Sequence, residues 1–122
     1  MAKMFSENTP DLLRGNTESL LLSLIEALNG AYGYKLIKEI DNRSQGLFEF
    51  KEGTVYPALR KLESDGLIKG VWEAHSNGRR RRFYTITEKG KETLKNKIAR
   101  WQEFTSAMNL ILNHNRTVTD AS

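Results

Sequence analysis

The chain contains no cysteine among its 122 residues. Without thiols it can form neither a disulfide nor a cysteine-ligated zinc site, and it offers no cysteine nucleophile. Histidine is also scarce, because His75 and His114 are the only two and neither has a cluster of carboxylates beside it. We therefore expect no metal ion and no cofactor.

Long apolar runs are missing as well. The longest, from Leu20 to Leu28, is interrupted by Ser23 and Glu26 and is far shorter than the roughly 18 residues that a membrane span needs. The first ten residues lack the apolar core of a signal peptide. No glycine-rich phosphate loop and no recognisable nucleophile motif is present. These absences predict a cytoplasmic protein that is not an enzyme and has no membrane partner.

Positive charge is concentrated in one part of the chain. The net charge is +4, but residues 51–100 contain 13 Lys/Arg and 6 Asp/Glu, whereas the remainder contains 6 Lys/Arg and 9 Asp/Glu. This asymmetry is typical of a protein that presents one basic face to a polyanion.

Hydrophobic periodicity predicts two short helices in the first third of the chain. The first extends from about Thr9 or Asn16 to Asn29, where the apolar pattern stops at an Asn-Gly pair that is typical of a helix end. The second follows the segment AYGY and ends in the polar segment 41–46. Its expected apolar stripe consists of Tyr34, Ile37 and Ile40.

Residues 52–66 predict a third helix with Val55, Leu59 and Leu62 facing the core. Pro57 is expected near its first turn, because deeper in a helix proline loses a hydrogen bond and clashes with the preceding turn. The opposite face is small, polar and basic, as needed to enter the major groove of DNA, which is about 12 Å wide. An ordinary solvated face explains these residues equally well when they are considered alone. The DNA-binding residues expected here are Lys51, Thr54, Tyr56, Pro57, Arg60 and Lys61.

The period then changes from helical to alternating. Residues 67–74 and 81–87 are rich in branched and aromatic side chains, and the HSNG segment between them favours a β-hairpin. An isolated basic run is usually solvated or ion-paired. At the tip of a hairpin beside a basic helix, however, it indicates phosphate contacts, because a guanidinium group binds phosphate oxygens bidentately. The arginines in question are Arg79, Arg80, Arg81 and Arg82.

A last helix is predicted from Glu88 to Asn113, with Thr87 as its N-cap. Its apolar residues recur at heptad spacing, which is typical of a seam between two copies of a chain. Packing of the whole stripe against the first helix of the same chain is the alternative. The expected dimer contacts are Leu94, Ile98, Trp101, Phe104, Met108, Ile111 and Leu112.

Thr105 interrupts this seam one turn after Trp101. A large flat aromatic beside a polar gap at a twofold interface leaves room for a flat ligand. From spacing alone, a simple core position explains Trp101 equally well.

The order of the elements predicts a winged helix-turn-helix followed by a long C-terminal helix, which is a mainly α fold with a small β-hairpin. We expect a DNA-binding domain over residues 10–87 and a dimerisation helix over residues 88–113. Flexible tails are expected at residues 1–9 and 114–122.

Three segments, YGYKLIKEI, GTVYPALRKLESDGLI and GRRRRFYTITEKGKE, resemble the PadR family of bacterial transcriptional regulators in their order and spacing. The resemblance covers about residues 12–112. It implies a dimeric winged-helix repressor whose third helix and wing bind a palindromic operator in double-stranded DNA, and whose C-terminal helix pairs with its mate. The short C-terminal helix is similar to that of a smaller subfamily, some of whose members sense toxic aromatic compounds.

The resemblance also implies a site for a planar aromatic effector. In the ligand-sensing relatives a tryptophan of the C-terminal helix stacks on flat ligands at the dimer interface, and Trp101 lies at the matching position. Where such a relative has an acidic residue one turn later, this chain has Thr105, which disfavours cationic ligands. The residues expected to line this pocket are Leu12, Ser19, Ile98, Trp101 and Thr105.

Two other classes of function remain open at this level. The chain can be a dimeric ligand-binding or interaction module whose basic face is incidental, or a small RNA-binding protein. The deep and narrow groove of A-form RNA excludes a recognition helix, so a comparison of duplex DNA with duplex RNA separates these classes.

Overall fold

A computed structural model describes residues 15–113 of the chain. These residues form four helices and one three-stranded sheet, in an order that confirms the winged helix-turn-helix with an added C-terminal helix. The expected tails and the Thr9 alternative for the first helix lie outside the described residues. The elements are α1 Thr17–Ala27, β1 Ala31–Tyr32, α2 Gly33–Arg43, α3 Glu52–Ser64, β2 Ile68–Ala74, β3 Arg80–Ile86 and α4 Glu88–Leu112.

One apolar core holds α3 in place. The predicted stripe of Val55, Leu59 and Leu62 is completely buried, against apolar side chains from α1, α2, the sheet and the start of α4. Each such side chain contributes about 1.5–3 kcal/mol when it is fully removed from water. The core therefore fixes which side of α3 faces the solvent.

Two details of the short helices differ from the prediction. Pro57 lies in the second turn of α3 and not in the first. It is exposed, as is Gly53 one turn earlier, so the carbonyl that loses its hydrogen-bond partner lies on the solvent side of the helix. In α2, which extends to Arg43, Leu36 and not Tyr34 fills the core, and Tyr34 is 45% exposed.

The sheet contains one strand more than the predicted hairpin. β1 pairs with β3 in antiparallel fashion, with Ala31 opposite Tyr84 and Tyr32 opposite Phe83. β2 pairs with the other edge of β3, so β3 is the central strand. A strand of two residues is too short to show an alternating pattern, which is why the sequence did not reveal β1.

The wing, defined here as β2, β3 and the connecting residues 75–79, closes in a tight turn. The Gly78 N–H donates to the His75 carbonyl at 2.9 Å, and Gly78 has a φ of 85°, a left-handed conformation that glycine adopts at little cost. The His75 N–H donates to the Arg79 carbonyl at 2.6 Å. Backbone hydrogen bonds thus place the start of the arginine run at the tip of the wing.

An ion pair joins the wing to α3. The Arg82 guanidinium donates to Glu63, from Nε to Oε1 at 3.2 Å and from Nη2 to Oε2, and the Gly70 N–H donates to the same carboxylate at 3.3 Å. These bonds, led by those from Arg82, hold the pKa of Glu63 below its usual value. A β-carbon at position 70 would collide with the Arg82 side chain. Glycine at this position therefore lets Arg82 cross β2 and reach the helix.

The helix α4 begins as predicted and then leaves the core. The Gly90 N–H donates to Thr87 Oγ1 at 3.0 Å, which confirms the N-cap. The helix contacts α1, and Leu94 near its start is only 3% exposed. Within residues 15–113 no helix is both long and apolar enough to span a membrane. The same range contains no group of three or more His, Cys, Asp or Glu side chains that could hold a metal ion.

We predict that the Glu63–Arg82 pair stabilises the fold through a measurable coupling. In a double-mutant cycle with Glu63→Gln and Arg82→Gln, the interaction free energy should be larger than that of an exposed surface pair, because the pair is bidentate and both side chains are partly buried. Urea unfolding of the single and double variants measures it.

The exposed pair Lys61–Asp65, with a separation of 2.8 Å, is the matched control for this cycle. A pair of this kind on the surface of a helix contributes little to stability, because water and salt screen it. Equal coupling in the two cycles would contradict a special role of Glu63 and Arg82 in joining the wing to α3.

Candidate nucleic-acid interface

The outward side of α3 is basic and polar, as the sequence predicted. Thr54, Pro57, Arg60 and Lys61 are exposed on the side opposite the buried stripe. Lys51, the residue at the N-cap position of α3, is exposed as well. The helix therefore presents donors and small side chains to the solvent over its whole length.

Tyr56 differs from these residues because it is half-buried. Its ring packs closely against Gly33 at the start of α2, where a β-carbon would lie 2.6 Å from the ring. Burial raises the pKa of the Tyr56 phenol. This side chain thus anchors α3 to α2 in addition to lining the surface.

The arginines of the wing alternate between two sides of β3. Arg80 and Arg82 share one side with Trp72, and their guanidinium carbons lie 5.2 and 5.1 Å from the centre of its ring. Arg79 is exposed at the end of the turn. Of these cations, Arg82 is bound to Glu63, so its charge is largely neutralised within the chain. This partner was not predicted from the sequence.

Arg81 points to the other side of β3 and packs on aromatic rings. Its guanidinium carbon lies 3.9 Å from the ring centre of Tyr32, and its Nη1 donates to the Tyr34 hydroxyl at 3.1 Å. The Tyr32 hydroxyl donates to Glu73, and this bond is the main reason why the pKa of Tyr32 lies above its usual value. Neither tyrosine was predicted as part of the site, since only the pairing of β1 with β3 brings them to Arg81.

A cleft of about 730 Å³ separates α3 and the start of α2 from the wing, and we call it the α3–wing cleft. Among the described residues its only carboxylate is Glu63, which is paired with Arg82. The cleft is therefore cationic and aromatic, as a site for a polyanion requires. Its lining consists of Tyr32, Gly33, Tyr34, Tyr56, Arg60, Glu63, Ser64, Trp72, Arg80, Arg81, Arg82 and Tyr84.

A second cleft, of about 330 Å³, lies between the start of α1 and α4 and is called the α1–α4 cleft here. Two residues of the predicted effector pocket, Ser19 and Trp101, line this cleft, whereas Ile98 and Thr105 do not. Leu12 lies outside the described residues. The complete lining is Gly15, Asn16, Ser19, Lys97, Arg100, Trp101 and Phe104.

Thr105 is turned back onto its own helix. Its Oγ1 donates to the carbonyls of Trp101 and Gln102 at 3.0 and 3.1 Å, so the expected polar gap offers no free hydroxyl donor. Two cations that the sequence analysis missed, Lys97 and Arg100, border Trp101 instead. The rings of Trp101 and Phe104 lie 5.8 Å apart and form one aromatic wall.

The heptad seam of α4 is divided between core and surface. Leu94, expected at a dimer interface, is buried within the chain, because it belongs to the same apolar core as the buried residues of α1, α3 and the sheet. The prediction for this residue is therefore wrong. The other members of the seam are at least 40% exposed, namely Ile98, Trp101, Phe104, Met108, Ile111 and Leu112.

Residues 21–96 match the model of the family described as the transcriptional regulator PadR-like family. An uncharacterized protein of Lysinibacillus sphaericus is 33% identical over 102 residues, which cover 84% of this chain and 93% of that protein.

Solved structures with the same fold include a PadR family transcriptional regulator from Eggerthella lenta, with a TM-score of 0.76 and 29% identity over 88% of this chain and 90% of that one. A PadR family transcription regulator from Clostridium difficile has a TM-score of 0.67 and 36% identity, and the match covers 79% of this chain and 97% of that one.

Regulators of this family bind DNA and are generally not enzymes. The family match extends over more than half of the chain and includes α3 and the wing. Together with the winged fold and its basic surface, it shows that the chain belongs to the PadR-like family of transcriptional regulators.

Proposed function

We propose that the chain is a homodimeric transcriptional repressor that binds a palindromic operator in double-stranded DNA. The observation that carries this proposal is that the basic outward side of α3 and an arginine-rich wing border the same cleft, with the ion pair of Glu63 and Arg82 joining them. In this assignment residues 10–87 form the DNA-binding domain and residues 88–113 the dimerisation helix. A regulator of this kind acts on chromosomal DNA, so we place the chain in the cytoplasm.

The helix α3 has the dimensions and chemistry to lie in the major groove, whose width of about 12 Å admits one helix. Arg79 and Arg80 lie at the tip of the wing, where their guanidinium groups can donate to backbone phosphates. Arg82 contributes indirectly in this proposal, because Glu63 already occupies its donors. Lys51, at the N-cap position of α3, is assigned to the edge of the groove. The residues assigned to the groove itself are Thr54, Tyr56, Pro57, Arg60 and Lys61.

The exposed half of α4 supports self-association. Several large apolar side chains of this helix are at least 40% exposed, and such a group on a small chain often marks an interface. Pairing of two α4 helices buries Met108, Ile111 and Leu112, which are exposed in the single chain. Twofold symmetry then requires two half-sites roughly 34–36 Å apart on the DNA, which is one helical turn.

The α1–α4 cleft supports an aromatic effector that modulates the repressor. Trp101 and Phe104 supply a flat apolar wall, and Lys97 and Arg100 supply positive charge at its edge. This combination favours a planar aromatic anion over a cation. The presence of Thr105, where a ligand-sensing relative has an acidic residue, agrees with this preference.

We predict that Arg79 and Arg80 of the wing determine the salt dependence of DNA binding, whereas Arg60 of α3 determines its sequence selectivity. With a duplex selected by this chain from random sequences, the double variant Arg79→Ala/Arg80→Ala should lower the slope of log affinity against log salt by about 0.9 per lost phosphate contact. Arg60→Ala should instead weaken binding to the selected duplex by about 1–3 kcal/mol more than binding to random DNA. Fluorescence anisotropy between low and moderate salt measures both quantities.

Lys95→Ala, which removes one charge from an exposed position on α4, is the control and should change neither quantity. An unchanged slope in the wing variant would rule out its phosphate contacts. Equal affinity of the unmodified chain for duplex DNA and duplex RNA would favour charge attraction without groove recognition.

We predict that Met108→Glu weakens the dimer by roughly tenfold or more, because it places an unpaired charge in an apolar interface. Ser106→Glu introduces the same charge on the opposite side of α4 and should leave the dissociation constant unchanged. Sedimentation equilibrium measures both variants, and equal dissociation constants would argue against pairing through this face. Loss of operator affinity should accompany loss of the dimer.

We predict that the α1–α4 cleft distinguishes ligands by charge. In a Trp72→Phe background Trp101 is the only tryptophan, and 2-naphthoate should quench its fluorescence with roughly tenfold higher affinity than 2-naphthylmethylammonium. Replacing Lys97 and Arg100 by Glu should reverse this preference. A Trp101→Phe chain, which keeps Trp72, should show no response, and absence of quenching by either compound would remove the effector site.

A further inference from the structure

Arg81 projects from the face of the sheet that also carries Tyr32, and it is held there in a fixed position. The packing of the core does not explain this arrangement. We infer that Arg81, at the margin of the α3–wing cleft, is a dedicated ligand for one phosphate of the DNA backbone, and that Tyr32 and Tyr34 are its positioning residues. This inference rests on the proposed function and assigns one phosphate to one guanidinium group.

The two tyrosines hold Arg81 from different directions. The Tyr32 ring lies under its guanidinium group at 3.9 Å, and the Tyr34 hydroxyl accepts from Nη1 at 3.1 Å. The rings of Tyr32 and Tyr34 are stacked, with 5.9 Å between their centres, and Phe83 packs edge-on against Tyr32 at 5.0 Å. The Tyr32 hydroxyl donates to Glu73 and is thereby fixed as well.

Arg81 keeps most of its capacity to donate. No carboxylate within residues 15–113 forms an ion pair with it, whereas the neighbouring Arg82 is bound to Glu63. Its Nε is buried and has no hydrogen-bond partner in the same range, so the Tyr32 ring and the Tyr34 hydroxyl together hold the group in place. A guanidinium group has five N–H donors, and one is used here by Tyr34.

A group held in this manner suits a phosphate better than a free side chain does. The rotamer entropy of Arg81 is already lost in the folded chain, so less is lost when an anion binds. The planar fork also matches two oxygens of a phosphodiester. Because the cleft lies between the two elements assigned to DNA, the phosphate that fits is one of the strand that crosses between groove and wing.

The four wing arginines then have separate tasks. Arg82 joins the wing to α3, Arg81 is the fixed ligand, and Arg79 and Arg80 reach phosphates from the tip. This division predicts that a single backbone position in each half-site depends on Arg81. The contacts of Arg79 and Arg80 should depend on other phosphates of the backbone.

The experiment uses the complete chain and a selected duplex in which single phosphates are replaced, one at a time, by neutral methylphosphonates. For the unmodified chain we expect one position in each half-site at which the replacement weakens binding roughly tenfold, the value for one charge-assisted hydrogen-bonding group. Arg81→Ala should bind less tightly and should no longer respond to replacement at that position. It should keep the responses that depend on Arg79 and Arg80.

Tyr34→Phe tests positioning, because it removes the acceptor for Arg81 and leaves every charge in place. It should weaken binding and reduce the response at that phosphate alone, with the other positions and the salt slope unchanged. A general loss of stability would not act on one phosphate selectively. Arg81→Lys should likewise keep the slope and lose the positional response, since an ammonium group cannot stack and fork in the same way. Lys95→Ala should behave as the unmodified chain at every position.

The outcomes separate this inference from the proposed function. Selective DNA binding in which Arg81→Ala responds as the unmodified chain at every phosphate would overturn the phosphate site and leave the repressor proposal intact. Failure to select any duplex above random sequence would overturn both. Saturable binding of inorganic phosphate that depends on Arg81, without any Arg81-dependent backbone position, would assign the arginine to a small anion and overturn the inference.

Discussion

The pairing of β3 between β1 and β2 decides what each arginine of the wing contacts. In an antiparallel sheet neighbouring side chains point to opposite faces, so Arg80 and Arg82 meet Trp72 and Arg81 meets Tyr32. A shift of the register by one residue would exchange the two faces and separate every one of these contacts. The backbone hydrogen bonds that hold the register therefore determine which partner each of these arginines contacts.

The same register allows the wing and α3 to act as one body. Arg82 reaches Glu63 only because residue 70, on the neighbouring strand, has no side chain in its path. The buried stripe of α3 sets the rotation of the helix, and the ion pair sets the position of the wing beside it. A recognition helix and a wing that are fixed to each other can meet the groove and the adjacent backbone without further ordering, which reduces the entropy lost on binding.

The helix α4 serves two structural purposes along its length. Its first turns complete the core through Leu94, whereas its later turns expose Trp101, Met108 and their apolar neighbours. The same helix borders the α1–α4 cleft, so a ligand there would contact both the core helix α1 and the face assigned to dimerisation. In the proposed dimer, this arrangement would connect a bound aromatic anion to the spacing of the two DNA-binding domains.

Local patterns in the sequence were sufficient for the helices, the hairpin turn, the N-cap at Thr87 and the family, because these depend on periodicity and on residues close together in the chain. They were not sufficient for β1, whose two residues carry no periodic signal, or for the partners of Arg81 and Arg82. Heptad spacing also could not distinguish core from interface at Leu94. Those features arise from contacts between distant segments, and only the tertiary structure brings Tyr32, Glu63 and Leu94 to their partners.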